Sequence, residues 1–190
     1  MRFALIVFIL FSGGFLLYVF WPDGEIRHEP GILVAEAPLQ RSLTNPASWE
    51  KDGYSIIPLA EFETNARVLH IKKYSRGRES DLSPVDLALG WGAMSDQKVL
   101  DQIDISQSGR WYEWRVKVFP VPQRIIETSS SNMHIIPVDD EVEEVLGSLR
   151  KGNIIQFSGY LVKVTASDGW HWTSSLTRED VVRGHVSWYW

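Results

Sequence analysis

The chain has 190 residues, a formal net charge of −5, no cysteine, nine Trp and 44% hydrophobic residues. That composition can bury a sizeable core and lacks the low-hydrophobicity, high-charge profile of a disordered chain. The acidic balance argues against nucleic-acid binding, and the lack of cysteine excludes disulfides, thiolate metal sites and a Cys nucleophile.

In chain order, Phe3 to Trp21 is uncharged and built mainly from Phe, Leu, Ile, Val and Tyr, broken only at Ser12, Gly13 and Gly14. As a helix it nearly spans the ~30 Å hydrocarbon core of a bilayer. Tyr18 and Trp21 fall where an interfacial aromatic belt would sit. The run is longer than the core of a secretory signal, and Trp21-Pro22-Asp23-Gly24 offers no small-x-small cleavage site. Residues 1–21 are therefore expected to form an uncleaved transmembrane anchor. Arg2 on one flank, against Asp23, Glu25, Arg27 and Glu29 on the other, places the rest of the chain outside the cytoplasm. In a two-membrane bacterium this means an inner-membrane, single-pass protein with a periplasmic domain.

Residues 22–50 are punctuated by Pro22, Pro30, Pro38 and Pro46 and read as a linker or extended arm. The domain proper covers residues 51–190. Residues 54–57 and 66–71 carry strand-type runs, separated by Pro58. A charged loop over 76–83 follows, then an apolar run over 85–89 that fits either a strand or a helical turn. Residues 111–118 alternate, with Tyr112, Trp114, Val116 and Val118 on one face, which predicts a half-buried strand. A short strand is expected around 134–136. Residues 139–149 predict an amphipathic helix with Val142, Val145, Leu146 and Leu149 on its apolar face, acids at its start and Arg150-Lys151 at its end. Strands over 154–157, 160–164, 170–175 and 185–190 complete the pattern, with a turn at Ser167-Asp168-Gly169. The fold class expected is mainly β (α+β), a partly open β-barrel-like domain with one amphipathic helix behind the membrane anchor.

Two resemblances add to this. Leu149-Arg150-Lys151-Gly152-Asn153-Ile154-Ile155-Gln156-Phe157-Ser158-Gly159-Tyr160-Leu161 resembles the helix-to-strand passage of OB-fold barrels such as single-strand-binding proteins, and SH3-like barrels give a similar trace. An interior strand Gly, here Gly159, often marks a barrel bend. The segments over 87–96, 106–114, 132–134 and 168–178 resemble an uncharacterised family of bacterial membrane-anchored proteins, which implies a bacterial origin and brings no mechanism. The tail Val181-Val182-Arg183-Gly184-His185 departs from that family's pattern.

A hydrolase can be assembled on paper from Ser174 or Ser175, His134 or His171, and Asp168 or Asp180, but no G-x-S-x-G elbow supports it. His134, His171 and His185 match no metal-ligand spacing, and no metal or cofactor is expected. Trp pairs at i and i+2 in the strand candidates fit a core or an aromatic platform. Polar groups beside such a platform would fix a ligand. The candidate binding residues are Arg110, Trp111, Asn132, His134, Trp172, Ser175 and Arg178. The expected function is a membrane-anchored extracytoplasmic binding or assembly module, a subunit of a bacterial envelope complex. Its partners would be the membrane, through Phe3 to Trp21, and a protein, with a small ligand or glycan as a further possibility. The alternative is an extracytoplasmic hydrolase acting on a cell-envelope substrate.

Overall fold

A computed structural model describes residues 24–177 and the backbone of 183–186. The expected anchor over residues 1–21 and the candidate Arg178 lie outside the described residues. Among the described residues no helix is long and apolar enough to cross a membrane.

The described residues are mainly β, with ten strands: β1 (Leu39–Ser42), β2 (Trp49–Lys51), β3 (Tyr54–Lys73), β4 (Val85–Gly90), β5 (Ile103–Ser108), β6 (Trp111–Val116), β7 (Ser130–Ile135), β8 (Ile154–Ala166), β9 (His171–Thr173) and β10 (Arg183–Val186). Four short α-helices accompany them where the sequence predicts one: α1 (Arg78–Leu82), α2 (Gln97–Leu100), α3 (Gln123–Thr128) and α4 (Asp140–Ser148). The three unexpected ones span only four to six residues, too short to display a helical period.

A seven-stranded sheet follows the order β7-β4-β3-β8-β9, with β1 and β2 also paired to β3; a second sheet has the order β10-β6-β5. The first sheet curls into a half-barrel because β3 and β8 are long and bent. Pro58 does not split β3 in two, as the sequence suggests. The 20-residue strand runs through it and absorbs the irregularity as a register shift between Pro58 and Ala60, with a second between Val68 and His70. Such bulges sharpen the local twist and let a strand turn a corner.

The alternation of β4 separates two apolar clusters. Val85, Leu87 and Leu89 pack with Ala66, Val68 and Leu146 on one side. Ala88 faces the other way, toward Leu69, Tyr112, Trp114 and Ile126 under the second sheet. Helix α4 closes the first cluster. The Asp139 side chain caps it by accepting from the Val142 N–H at 2.9 Å, and its first turn is acidic as the dipole prefers. Of the four residues on its predicted apolar face, only Leu146 is buried; Val142 and Val145 remain exposed.

Residues 24–38 are strapped across the domain. The Ile26 N–H donates to the Lys151 carbonyl at 2.8 Å, the Val34 N–H to Ser95 Oγ at 3.0 Å, and Arg27 pairs with Asp101 at 2.7 Å. Gly152, at φ +94°, is required beneath this strap: a Cβ there would meet the Ile26 carbonyl oxygen at 1.9 Å. Buried Arg67 bonds the Ser95 carbonyl at 3.0 Å and the Gln97 side chain, which in turn accepts from the His28 N–H at 3.1 Å.

Leu146→Ala is expected to cost about 2–5 kcal/mol in urea unfolding, because it empties a core position. Val145→Ala, at a position 56% exposed, should stay within about 0.5 kcal/mol. Equal losses would place both residues in the core and contradict the packing of α4.

Candidate functional site

Six of the seven sequence candidates, Arg110, Trp111, Asn132, His134, Trp172 and Ser175, line one groove of about 1770 Å³ on the open side of the half-barrel. Helix α4, β7, β8, β9 and the β1–β2 region contribute its walls, with Phe62, Leu87 and Val164 also lining it. Large apolar side chains around it are left uncovered: Leu39, Trp49, Trp111, Val142, Val145 and Tyr160 are all exposed.

At one end of the groove, four of the candidates gather about a residue that the sequence reading missed. Asp86, on β4, is fully buried. Arg110 Nη1 approaches its Oδ1 at 2.7 Å. His134, directly opposite Asp86 in the β4–β7 register, places Nδ1 2.8 Å from the same oxygen. That approach is within ion-pair range yet off the line of a hydrogen bond, so His134 Nδ1 stays buried without a hydrogen-bond partner, as does the other carboxylate oxygen, Asp86 Oδ2. The Arg110 guanidinium also lies over the Tyr74 ring, 3.8 Å from its centroid, and 5.8 Å from that of Trp172. The Trp172 and His134 rings are 4.6 Å apart. Burial pushes the Tyr74 phenol above its ordinary pKa.

The backbone of Arg110 is part of the arrangement. Gly109 and Arg110 form the two-residue turn between β5 and β6, at φ +56° and +70°. That left-handed geometry suits the twist of a hairpin but costs a non-Gly residue about 1–2 kcal/mol. Tertiary bonds offset the cost: the Arg110 N–H donates to the Tyr74 hydroxyl at 3.1 Å, and Asn132 Nδ2 donates to the Arg110 carbonyl at 3.0 Å. Gln107 donates to Asn132 Oδ1 at 2.5 Å, and its own Oε1 accepts from His70 Nδ1 at 2.8 Å. Asn132 thus orients the turn rather than facing a ligand. A strained residue held this firmly supports a positioning role.

The remaining candidates stand apart. Trp111, one residue on, points to the opposite face of β6 and is 58% exposed at the groove's lip. Ser175 Oγ is engaged in its own turn, accepting from the Thr177 N–H at 3.2 Å. Asp168 is committed to Arg78, with contacts at 2.6 and 3.1 Å. This bond from Arg78 holds the Asp168 carboxyl below its ordinary range and pushes the guanidinium above its own. No Ser–His–Asp constellation forms from the described residues offered by the sequence. Among the described residues no group of three His, Asp or Glu gathers for a metal ion.

One signal for Asp86 was present in the sequence. It is an acid inside the apolar run Val85-Asp86-Leu87-Ala88-Leu89, and an acid buried there requires a cation. Comparison with models of protein families, with curated proteins and with solved structures finds no match.

Arg110→Ala should destabilise the domain by about 3 kcal/mol, since it strands a buried carboxylate. Asp86→Asn in the same chain should restore at least about 1 kcal/mol, a coupling that a double-mutant cycle in urea measures. A loss below about 0.5 kcal/mol for Arg110→Ala would show that the pair holds nothing together.

Proposed function

We propose that this chain is a membrane-anchored, extracytoplasmic binding or assembly module, a subunit of a bacterial envelope complex that holds a protein partner in the groove of its half-barrel. The observation that carries this reading is the concentration of exposed large apolar side chains, among them Trp49, Val145 and Tyr160, around a single groove. Apolar side chains gathered and exposed about one groove are the mark of a surface that receives a partner. At about 1770 Å³ the groove exceeds the roughly 300–1,000 Å³ of a small-molecule pocket, which favours a polypeptide over a small ligand or a glycan. The uncharged run Phe3 to Trp21 supports the tether.

One observation favours a second reading, a hydrolase of a cell-envelope substrate. A buried carboxylate lies 2.8 Å from His134 Nδ1 while the imidazole lines the groove, which sets an acid beside a candidate general base. The absence of a paired hydroxyl nucleophile among the described residues ranks it second.

Recovery of partners from detergent-solubilised membranes tests the two. Val145→Asp with Tyr160→Ser should leave the melting temperature within a few degrees and abolish partner recovery, whereas Glu36→Gln, exposed and away from the groove, should change neither. Undiminished recovery by the groove variant contradicts the binding reading. Hydrolysis of envelope material that disappears in His134→Gln, with partners retained, establishes the second.

A further inference from the structure

We infer that the groove's occupant is an extended cationic segment in which Lys or Arg alternates with aliphatic residues. This rests on the groove being the binding surface. The charges around the groove carry it. The arginines and the lysine lining it are already neutralised within the chain: Arg41 by Glu61 at 3.3 Å, Lys51 by Asp52 at 3.6 Å and Arg110 by Asp86 at 2.7 Å. Glu50, Glu63 and Glu141 line the same groove with no ion-pair partner among the described residues. Asp140, Glu143 and Glu144 stand alongside Glu141 on α4. An apolar floor under uncompensated carboxylates complements a segment that is aliphatic on one face and cationic on the other.

The edges of the sheet set its conformation. β7 and β9 are the outer strands of the path β7-β4-β3-β8-β9, each paired on one side only among the described residues, and both contribute to the groove. An extended segment offers main-chain donors and acceptors to such edges, and its side chains alternate with a period of two. In that register one set would lie on exposed apolar side chains of the groove while the other meets its glutamates.

The test uses the full chain in a non-ionic detergent and three fluorescein-labelled ten-residue peptides, alternating Lys/Val, Ser/Val and Glu/Val, read by fluorescence anisotropy. The Lys/Val peptide should bind about tenfold more tightly than Ser/Val, and Glu/Val more weakly than either. Its advantage should shrink several-fold between about 50 and 300 mM salt. The triple variant Glu50→Gln, Glu63→Gln, Glu141→Gln, at exposed positions, should bring Lys/Val down to the Ser/Val level and leave Ser/Val unchanged. Equal affinity for Lys/Val and Glu/Val, or a triple variant that keeps the preference, overturns the inference. If all three peptides bind alike and Val145→Asp removes them, the groove survives as a binding surface and only the charge rule fails. No binding by any peptide, whether a second copy or the chain's own N-terminal segment fills the groove, overturns it as well.

Discussion

The curl of β3 is the constraint on which the rest of the molecule depends. Drawn straight, 20 residues of strand would reach roughly 66 Å. Instead the strand bends until its start meets the residues just beyond its end, and Arg78 is the clasp. Its Nε donates to the Tyr54 hydroxyl at 3.1 Å, its guanidinium lies 4.8 Å from the Trp170 ring centroid and 5.4 Å from that of Tyr54, and it binds both oxygens of Asp168 in the β8–β9 turn. The bulges in β3 permit the bend and Arg78 fixes it. A flat sheet of the same strands would have no groove.

A second arginine repeats the device deeper in the fold. Arg110 combines a carboxylate with aromatic neighbours as Arg78 does, and the two assemblies meet through Trp170 and Trp172, whose ring centroids are 6.2 Å apart in an edge-on arrangement. Their energetics differ because their surroundings do. The Asp168 side chain is 60% exposed, so the outer ion pair is screened by water and salt and its value lies in geometry. Asp86 is fully buried, and the inner pair cannot lose its cation without leaving a charge in a dry interior. The outer clasp shapes the groove while the inner one anchors the β5–β6 turn to the sheet. The groove itself is left with apolar walls and surplus glutamates, which suits a surface that receives a partner.

Much of this was legible in the residues. The alternation anticipated β6, though it ran on to Val118, which lies exposed beyond the strand's end at Val116, and the helical spacing with acids at the start anticipated α4, because each signal is local and periodic. Two failures have a common cause in tertiary context. Pro58 reads as a break, yet the long strand accommodates it at a bulge. The apolar stripe of α4 reads as buried, yet the open side of the half-barrel leaves Val142 and Val145 uncovered. For the site, Trp and polar residues adjoining strands drew attention to Arg110, Asn132, His134 and Trp172, which do converge. The partner that gathers them, Asp86, was passed over as one acid in an ambiguous apolar run. Arg78 was hidden in a segment that reads as a charged loop, since nothing local reveals that a distant turn returns Asp168 to it.

The central claim is that the Arg78 clasp holds the half-barrel curled and so creates the groove, and a distance measurement tests it most directly. The chain has no cysteine, so spin labels at Ser75→Cys and Ser167→Cys, both exposed positions on either side of the clasp, report only that junction. Pulsed dipolar spectroscopy on the full chain should give one narrow distance distribution. In an Arg78→Ala chain that keeps its circular dichroism, the distribution should broaden and move to longer distance. An unchanged narrow distribution in that variant would show that the curl stands without the clasp and would contradict the account.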